Sequence, residues 1–173
     1  MVNASRRAVE EDAEGVARVH VAAWHIAYER LLPSDVRAAQ TVEKRTEAWK
    51  RQLQDPTVAV WVVTSEDLVI EGFVAAGPSR DGDASPRTGE VYAIYVRPDK
   101  WRVGVGYSLL QVAERALGAD YEVATLWVLD GNGRACRFYE RQGWTPDGGW
   151  REEARGATVL QEVRYSKKLA THA

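Results

Sequence analysis

The chain carries a single cysteine, Cys136, in 173 residues. No internal disulfide can brace it, and this usage fits a reducing cytoplasm. Histidine is scarce too, with three in all, and the one close pair, His20 and His25, stands five positions apart. That spacing does not place both rings on one helical face, so no metal site is expected. Long hydrophobic runs are missing: the apolar stretch 58–63 is far shorter than the roughly 20 residues that span a bilayer. Residues 1–10 are polar and basic, unlike the charged-then-apolar pattern of a signal peptide, so a cytoplasmic, membrane-free protein is expected. An excess of one charge is also lacking. Lys and Arg total 23 against 25 Asp and Glu, a net charge of −2, with no basic stripe that would suit a nucleic acid.

What remains is a composition that is 45% hydrophobic, enough for one substantial core, and residues 1–173 read as a single domain. Residues 6–9 suit a short opening strand. From Glu11 the pattern turns helical, with Val16, Val19, Ala23 and Ala27 at intervals of three to four. Segments 35–40 and 42–53 read as further helical pieces after Pro33. Segments 58–64 and 69–77 read as a hairpin, followed by a Gly/Asp/Ser/Pro loop. Residues 90–96, EVYAIYV, give the strongest strand signal, closed by Pro98. A helix with Leu109, Leu110, Ala113, Ala116 and Leu117 on one stripe comes next, with Gly118 at its end. Then come a strand at 122–129, a helix at 132–142 and two closing antiparallel strands at 144–153 and 158–167. The order β-α-α-β-β-β-α-β-α-β-β describes a mixed sheet flanked by helices, not a doubly wound alternation.

The chemistry is sought first in EVYAIYVRPDKWRVGVGYSLL, where a strand passes through glycines into a helix. At Gly104 and Gly106 the backbone can approach a ligand without a Cβ in the way. The unpaired N–H groups and the dipole of the helix's first turn then favour a phosphate. A dinucleotide fingerprint is disfavoured, because Leu109 stands where its third glycine belongs. A P-loop is excluded, because Tyr107 and Ser108 follow Gly106 in place of Lys and Ser/Thr. On this stretch alone, a glycine turn that merely starts a helix remains open.

Two motifs together narrow the choice. Val96-Arg97-Pro98 followed by WRVGVG resembles the acyl-CoA signature Q/R-x-x-G-x-G/A of the GCN5-related N-acetyltransferase family. Downstream, NGRACRFYERQGW resembles that family's second signature, N-x-x-A-x-x-F-Y-x-x-x-G-F/W, with Asn132, Ala135, Phe138, Tyr139, Gly143 and Trp144 on its positions. The likeness runs from about Arg6 to Leu169. Trp101 departs from it by occupying the Gln/Arg position, with Arg102 beside it.

The resemblance implies an α/β fold of the α+β type. Its mixed, mostly antiparallel sheet of about six to seven strands is flanked by about four helices, with a splay between the fourth and fifth strands. It implies acetyl-CoA as co-substrate, no metal, and transfer of the acetyl group to a primary amine of a small molecule, peptide or protein. The amine would attack directly while both substrates are bound. Backbone groups of Ile94, Tyr95 and Val96 would meet the pantetheine arm and the thioester carbonyl. Amides of Val103, Gly104, Val105 and Gly106, with Arg102 and Tyr107 beside them, would hold the pyrophosphate, and Asn132 would add a contact to CoA.

The resemblance also implies that Tyr139 binds the CoA sulfur and protonates the departing thiolate. Glu90, expected on the same strand parity as Tyr92, Ile94 and Val96, would serve as general base, since an amine must lose a proton before it attacks. Each has a plainer reading: Tyr139 as a core aromatic beside Phe138, Glu90 as a solvent-facing carboxylate. Glu71 is a further candidate acid. The first helices would line the acceptor pocket, with Trp24 and Tyr28, and after them Tyr92 and Trp150, as its aromatic wall or as residues that only pack against the sheet. His20 and His25 read as surface or half-buried helix residues, and Cys136, with no partner in the sequence, does not read as a nucleophile. A catalytically idle acyl-CoA sensor is the alternative function, and exposed strand edges leave room for a homodimer.

Overall fold

Alternation within two neighbouring strands sets the layers. Val60, Val62, Phe73 and Ala75, from β2 (Ala59–Thr64) and β3 (Ile70–Pro78), pack with Ala13, Val16, Val19 and Trp49. Val63, Val74 and Ala76 point the other way, against Leu109, Leu110 and Ala113. The first group of partners comes from α1 (Ala13–Ala27) and α3 (Val42–Gln54), the second from α4 (Val105–Leu117). Strands covered on both faces need apolar residues on both, and β3 is buried from Ile70 to Gly77.

This computed structural model describes residues 4–170. The other elements are β1 (Ser5–Arg7), α2 (Ser34–Ala38), β4 (Thr88–Val96), β5 (Val123–Leu129), α5 (Gly133–Arg141), β6 (Thr145–Arg155) and β7 (Thr158–Lys168). They come in the order read from the sequence except that three helices rather than two separate β1 from β2, and the helices flank one seven-stranded sheet ordered β1-β2-β3-β4-β5-β7-β6. Four helices have nine residues or more, and α2 adds a five-residue fifth. The opening strand stops at Arg7 because Asp12 gathers the next residues into a 3-10 turn, accepting the Val9 N–H at 2.8 Å and pairing with Arg6 at 2.7 Å. Among the described residues no helix is long and apolar enough to cross a membrane.

Every neighbouring pair of strands runs antiparallel except β4 and β5, which run parallel. These two are paired only at Thr88↔Val123, Gly89↔Ala124 and Glu90↔Thr125. Beyond Glu90, β4 stays bonded to β3 and β5 stays bonded to β7, so the two part and the sheet opens between them. The parting begins at a β-bulge: Ala76 faces Val91 and Ala75 faces Ala93, which leaves Tyr92 as the extra residue. A bulge bends its strand and reverses the parity of the residues beyond it. The common parity expected for Glu90, Tyr92, Ile94 and Val96 is therefore broken. Tyr92 and Tyr95 pack on the α1/α3 face, whereas Ile94 and Val96 pack on the α4 face.

Candidate active site

The splay joins two cavities on opposite faces of the sheet. The larger, about 1070 Å³, lies over the start of α4, and the smaller, about 280 Å³, lies under α1 and α3. Six residues line both: Ala27, Ile94, Tyr95, Asn132, Ala135 and Tyr139.

The larger cavity is shaped by backbone. Arg97 donates its N–H to the Glu71 carbonyl across the β3–β4 ladder at 2.8 Å. Bonding phase alternates along an antiparallel pair, so Tyr95 turns its backbone groups to β3 while Ile94 and Val96 turn theirs to the splay. Of the three backbones expected to meet a pantetheine arm, those two face the splay. Trp101 closes the turn below: its indole N–H donates to the Val96 carbonyl at 2.9 Å, and the Arg134 guanidinium lies 3.5 Å from its ring centroid. The loop then passes through two left-handed residues, Arg102 at φ 67° and Gly104 at φ 92°. A non-glycine residue held there is uncommon.

Gly106, in the first turn of α4, has room for a side chain. An added Cβ would meet only Phe138 at 3.5 Å and Val96 at 3.6 Å. Packing does not demand glycine at this position, and its absence of a side chain leaves the amides of the turn open to the cavity. Lys100, Arg102, Arg134, Arg137 and Arg141 also line this cavity. Burial first, and then the neighbouring Arg102, hold the Arg134 guanidinium below its ordinary value, a crowding that a polyanion would relieve. Val103 and Tyr107 are exposed beside it, and Val105 is buried in the core. Asn132 caps α5, its Oδ1 accepting the Ala135 N–H at 3.2 Å, which leaves its amide N–H groups for a ligand.

Tyr139 stands at the junction. It is 8% exposed, with its ring edge-on to Phe138 and Trp144, and its hydroxyl has no hydrogen-bond partner among the described residues. Burial raises its pKa, so the phenol keeps its proton at neutral pH.

The smaller cavity is made of side chains. Trp24 is buried and stacked on Tyr28 at 4.6 Å, and both line it. Burial pushes the Tyr28 phenol up to about 12. Tyr92 also lines it, its hydroxyl donating to the Pro78 carbonyl under the Arg80 guanidinium. Glu90 is 6% exposed rather than solvent-facing and accepts the Arg80 N–H at 2.8 Å. Burial raises the pKa of its carboxyl above the ordinary range.

His20 is buried rather than at the surface. It accepts the Trp49 indole N–H at 3.1 Å and stacks on Tyr95 at 4.6 Å. Burial brings its pKa down to about 3, so it stays neutral near pH 7. His25, Glu71, Cys136 and Trp150 line neither cavity. Glu71 is taken up by Lys100 at 2.8 Å, and Trp150 is 67% exposed where β6 breaks register. No group of three or more His, Cys, Asp or Glu among the described residues is placed to hold a metal.

Several lining residues escaped the sequence: Arg45, Trp127, Arg151, Glu153, Arg155 and Glu162 in the smaller cavity, Arg134 in the larger. Arg151, Glu153 and Arg155 alternate along β6, a charged strand face that period-two reading can find. Arg45 precedes the buried Trp49 by four positions, a charge on the inward stripe of its helix.

This architecture, a sheet opened beside a glycine-led helix with a second cavity beneath, defines a class of acyl-CoA-dependent transferases, and residues 21–144 match the acetyltransferase (GNAT) family. The chain belongs to that family. It is 32% identical over 144 residues, 82% of its length and 79% of the relative's, to YuaI of Bacillus subtilis (strain 168), described as an uncharacterized N-acetyltransferase. In fold it is similar to a GCN5-related N-acetyltransferase from Rhodopseudomonas palustris, with a TM-score of 0.76 at 19% identity, covering 98% of this chain and 97% of that one. It is similar also to the PaiA N-acetyltransferase of Thermoplasma acidophilum solved with coenzyme A, with a TM-score of 0.69 at 18% identity, covering 97% and 99% of the two chains.

Proposed function

We propose that the chain transfers an acetyl group from acetyl-CoA to the primary amine of a small acceptor. The observation that carries this reading is the meeting of two cavities at Tyr139, one basic and built from backbone, the other small and lined by side chains. Acetyl-CoA would lie in the larger, with its phosphates on the amides of Val103 to Gly106 and its pantetheine arm along Ile94 and Val96. The acceptor would enter from the smaller and lose a proton to Glu90, directly or through water. Its nitrogen then forms the new bond to the acetyl carbon as the carbon–sulfur bond breaks. Tyr139 gives its proton to the sulfur and is reprotonated, through water, by the second proton that the nitrogen sheds on becoming an amide. Backbone N–H groups of the splay take up charge developing on the carbonyl oxygen. Direct transfer needs no acyl-enzyme, in keeping with a cysteine that lines neither cavity.

Thiol release from acetyl-CoA against a panel of polyamines, aminoglycosides, amino acids and short peptides tests it. Saturable release with one chemical class is the expected result. Acetyl-CoA at about 100 times its Kd should add about 2.7 kcal/mol, roughly 5–10 °C in Tm. A shift without turnover would favour an acyl-CoA sensor, and no shift would overturn the reading.

A further inference from the structure

The charges around the smaller cavity are not all paired. Three guanidinium and three carboxyl side chains line it: Arg45, Arg151, Arg155, Glu90, Glu153 and Glu162. Arg151 is taken by Glu162 at 2.6 Å, and Arg155 by Glu153 at 2.6 Å. Glu90 makes its contact with a backbone N–H, and the Arg45 guanidinium makes no ion pair or hydrogen bond among the described residues. Pairing thus leaves one guanidinium and one carboxylate unmatched in a single small space.

A second, independent observation concerns Arg155. Its outer nitrogen is engaged by Glu153, but its Nε is buried with no partner among the described residues. A buried donor left unsatisfied is rare in native structures and marks a place where something else accepts. Arg45 from α3 and Arg155 from β6 lie within electrostatic reach of each other, and both act on Tyr28, Tyr95 and His20. Two guanidiniums on the lining of one small cavity, one without a partner and one with an open donor, suit a planar or tetrahedral oxyanion. His20 stays neutral and cannot compete for that anion as a cation. At about 280 Å³ the cavity is at the low end for ligand sites, which fits an acceptor of amino-acid size.

We infer that the acceptor is a small amine that also carries an oxyanion, a carboxylate or a phosphonate, held by Arg45 and Arg155 while its ammonium faces Glu90. This rests on the acetyltransferase reading above and adds the chemical class of its substrate.

The test compares α-amino acids and aminoalkylphosphonates with their matched carboxamides and simple amines, using the full chain and acetyl-CoA. The anionic acceptors should be preferred by about 30-fold in kcat/KM, the scale of one charge-assisted contact. Arg45→Gln should erase most of that preference through KM, with the anionic series losing far more than the carboxamides. Arg45→Lys, which keeps the charge but loses the fork, should fall between. Whichever anionic series is turned over identifies the source of the oxyanion. Equal use of neutral and anionic amines, no turnover of any anionic amine, or an equal loss for both series in Arg45→Gln would overturn the inference. In each of those cases acetyl-CoA binding would stand. Loss of acetyl-CoA binding in the unmodified chain would overturn both readings together.

Discussion

The larger cavity is bounded, apart from Ala23 and Ala27, by two short stretches of chain, residues 94–107 and 132–142, whereas the smaller takes its walls from α1, α3, β4, β5, α5, β6 and β7. The larger offers mainly backbone: two carbonyl–amide pairs of a strand, a left-handed turn and the first turn of a helix. The smaller offers single side chains, one or two from each element. Backbone amides present the same groups whatever side chains they carry, so such a site persists as long as the turn folds. A side-chain site can change one residue at a time while the sheet stays intact. The difference explains how one scaffold keeps its co-substrate while its acceptors vary.

Tyr139 belongs to both cavities, so its removal should give the largest effect and the least selective one. Tyr139→Phe should lower kcat about 100-fold, the usual scale for a positioned general acid, with acetyl-CoA affinity within about twofold. Steady-state rates with several acceptors, beside calorimetric binding of acetyl-CoA, check this. A loss confined to one acceptor would place Tyr139 in the acceptor pocket alone, and full turnover would reduce it to a core aromatic.

Gly106→Ala separates a backbone site from ordinary packing, with a smaller effect. An added methyl has room in the protein and replaces a poor helix former, so stability should rise by up to about 1 kcal/mol, roughly 2–4 °C in Tm. Acetyl-CoA should nonetheless bind about tenfold more weakly, because the methyl stands where the ligand approaches. Thermal melts with and without acetyl-CoA read both. A less stable protein with undiminished affinity would break the contrast between the two cavities.

The same contrast accounts for what the sequence disclosed. Gly104, Gly106, Asn132 and Tyr139 were legible because contiguous chain supplies them: a strand signal, a glycine turn and a helix stripe each lie within one short window. The element order was legible for the same reason, and Pro98 and Gly143 marked its breaks. Arg45 and Arg155 were not, because nothing local ties a charge in α3 to one in β6; only the closed sheet brings them together. The bulge at Tyr92 was hidden as well. EVYAIYV alternates without a turn residue, and its slip is forced by pairing with β3, which sets Tyr92 and Ile94 on opposite faces. Trp101 sat in a known place with an unexpected side chain, and it holds the turn together through the Val96 carbonyl.

Glu90→Gln touches the smaller cavity alone, and its effect on stability is smaller than that of Gly106→Ala. Burial raises the Glu90 pKa in the folded protein above its unfolded value. A carboxyl shifted that way contributes stability that is full below the unfolded pKa, about 4.3, and is lost as pH rises through the folded value. At pH 7 the ionised group therefore costs stability, and a neutral glutamine that still accepts the Arg80 N–H removes that cost. The variant should melt about 1–3 °C higher at pH 7 and gain nothing near pH 4. Activity should move the other way. In the unmodified chain kcat/KM should climb with pH on the acid side, at a midpoint above the ordinary carboxylate range, as Glu90 becomes able to take a proton. In Glu90→Gln that limb should disappear while acetyl-CoA still binds. A variant that is stabilised at neutral pH yet keeps the acid limb would leave Glu90 as a buried carboxylate with a structural cost and assign the proton transfer to another group.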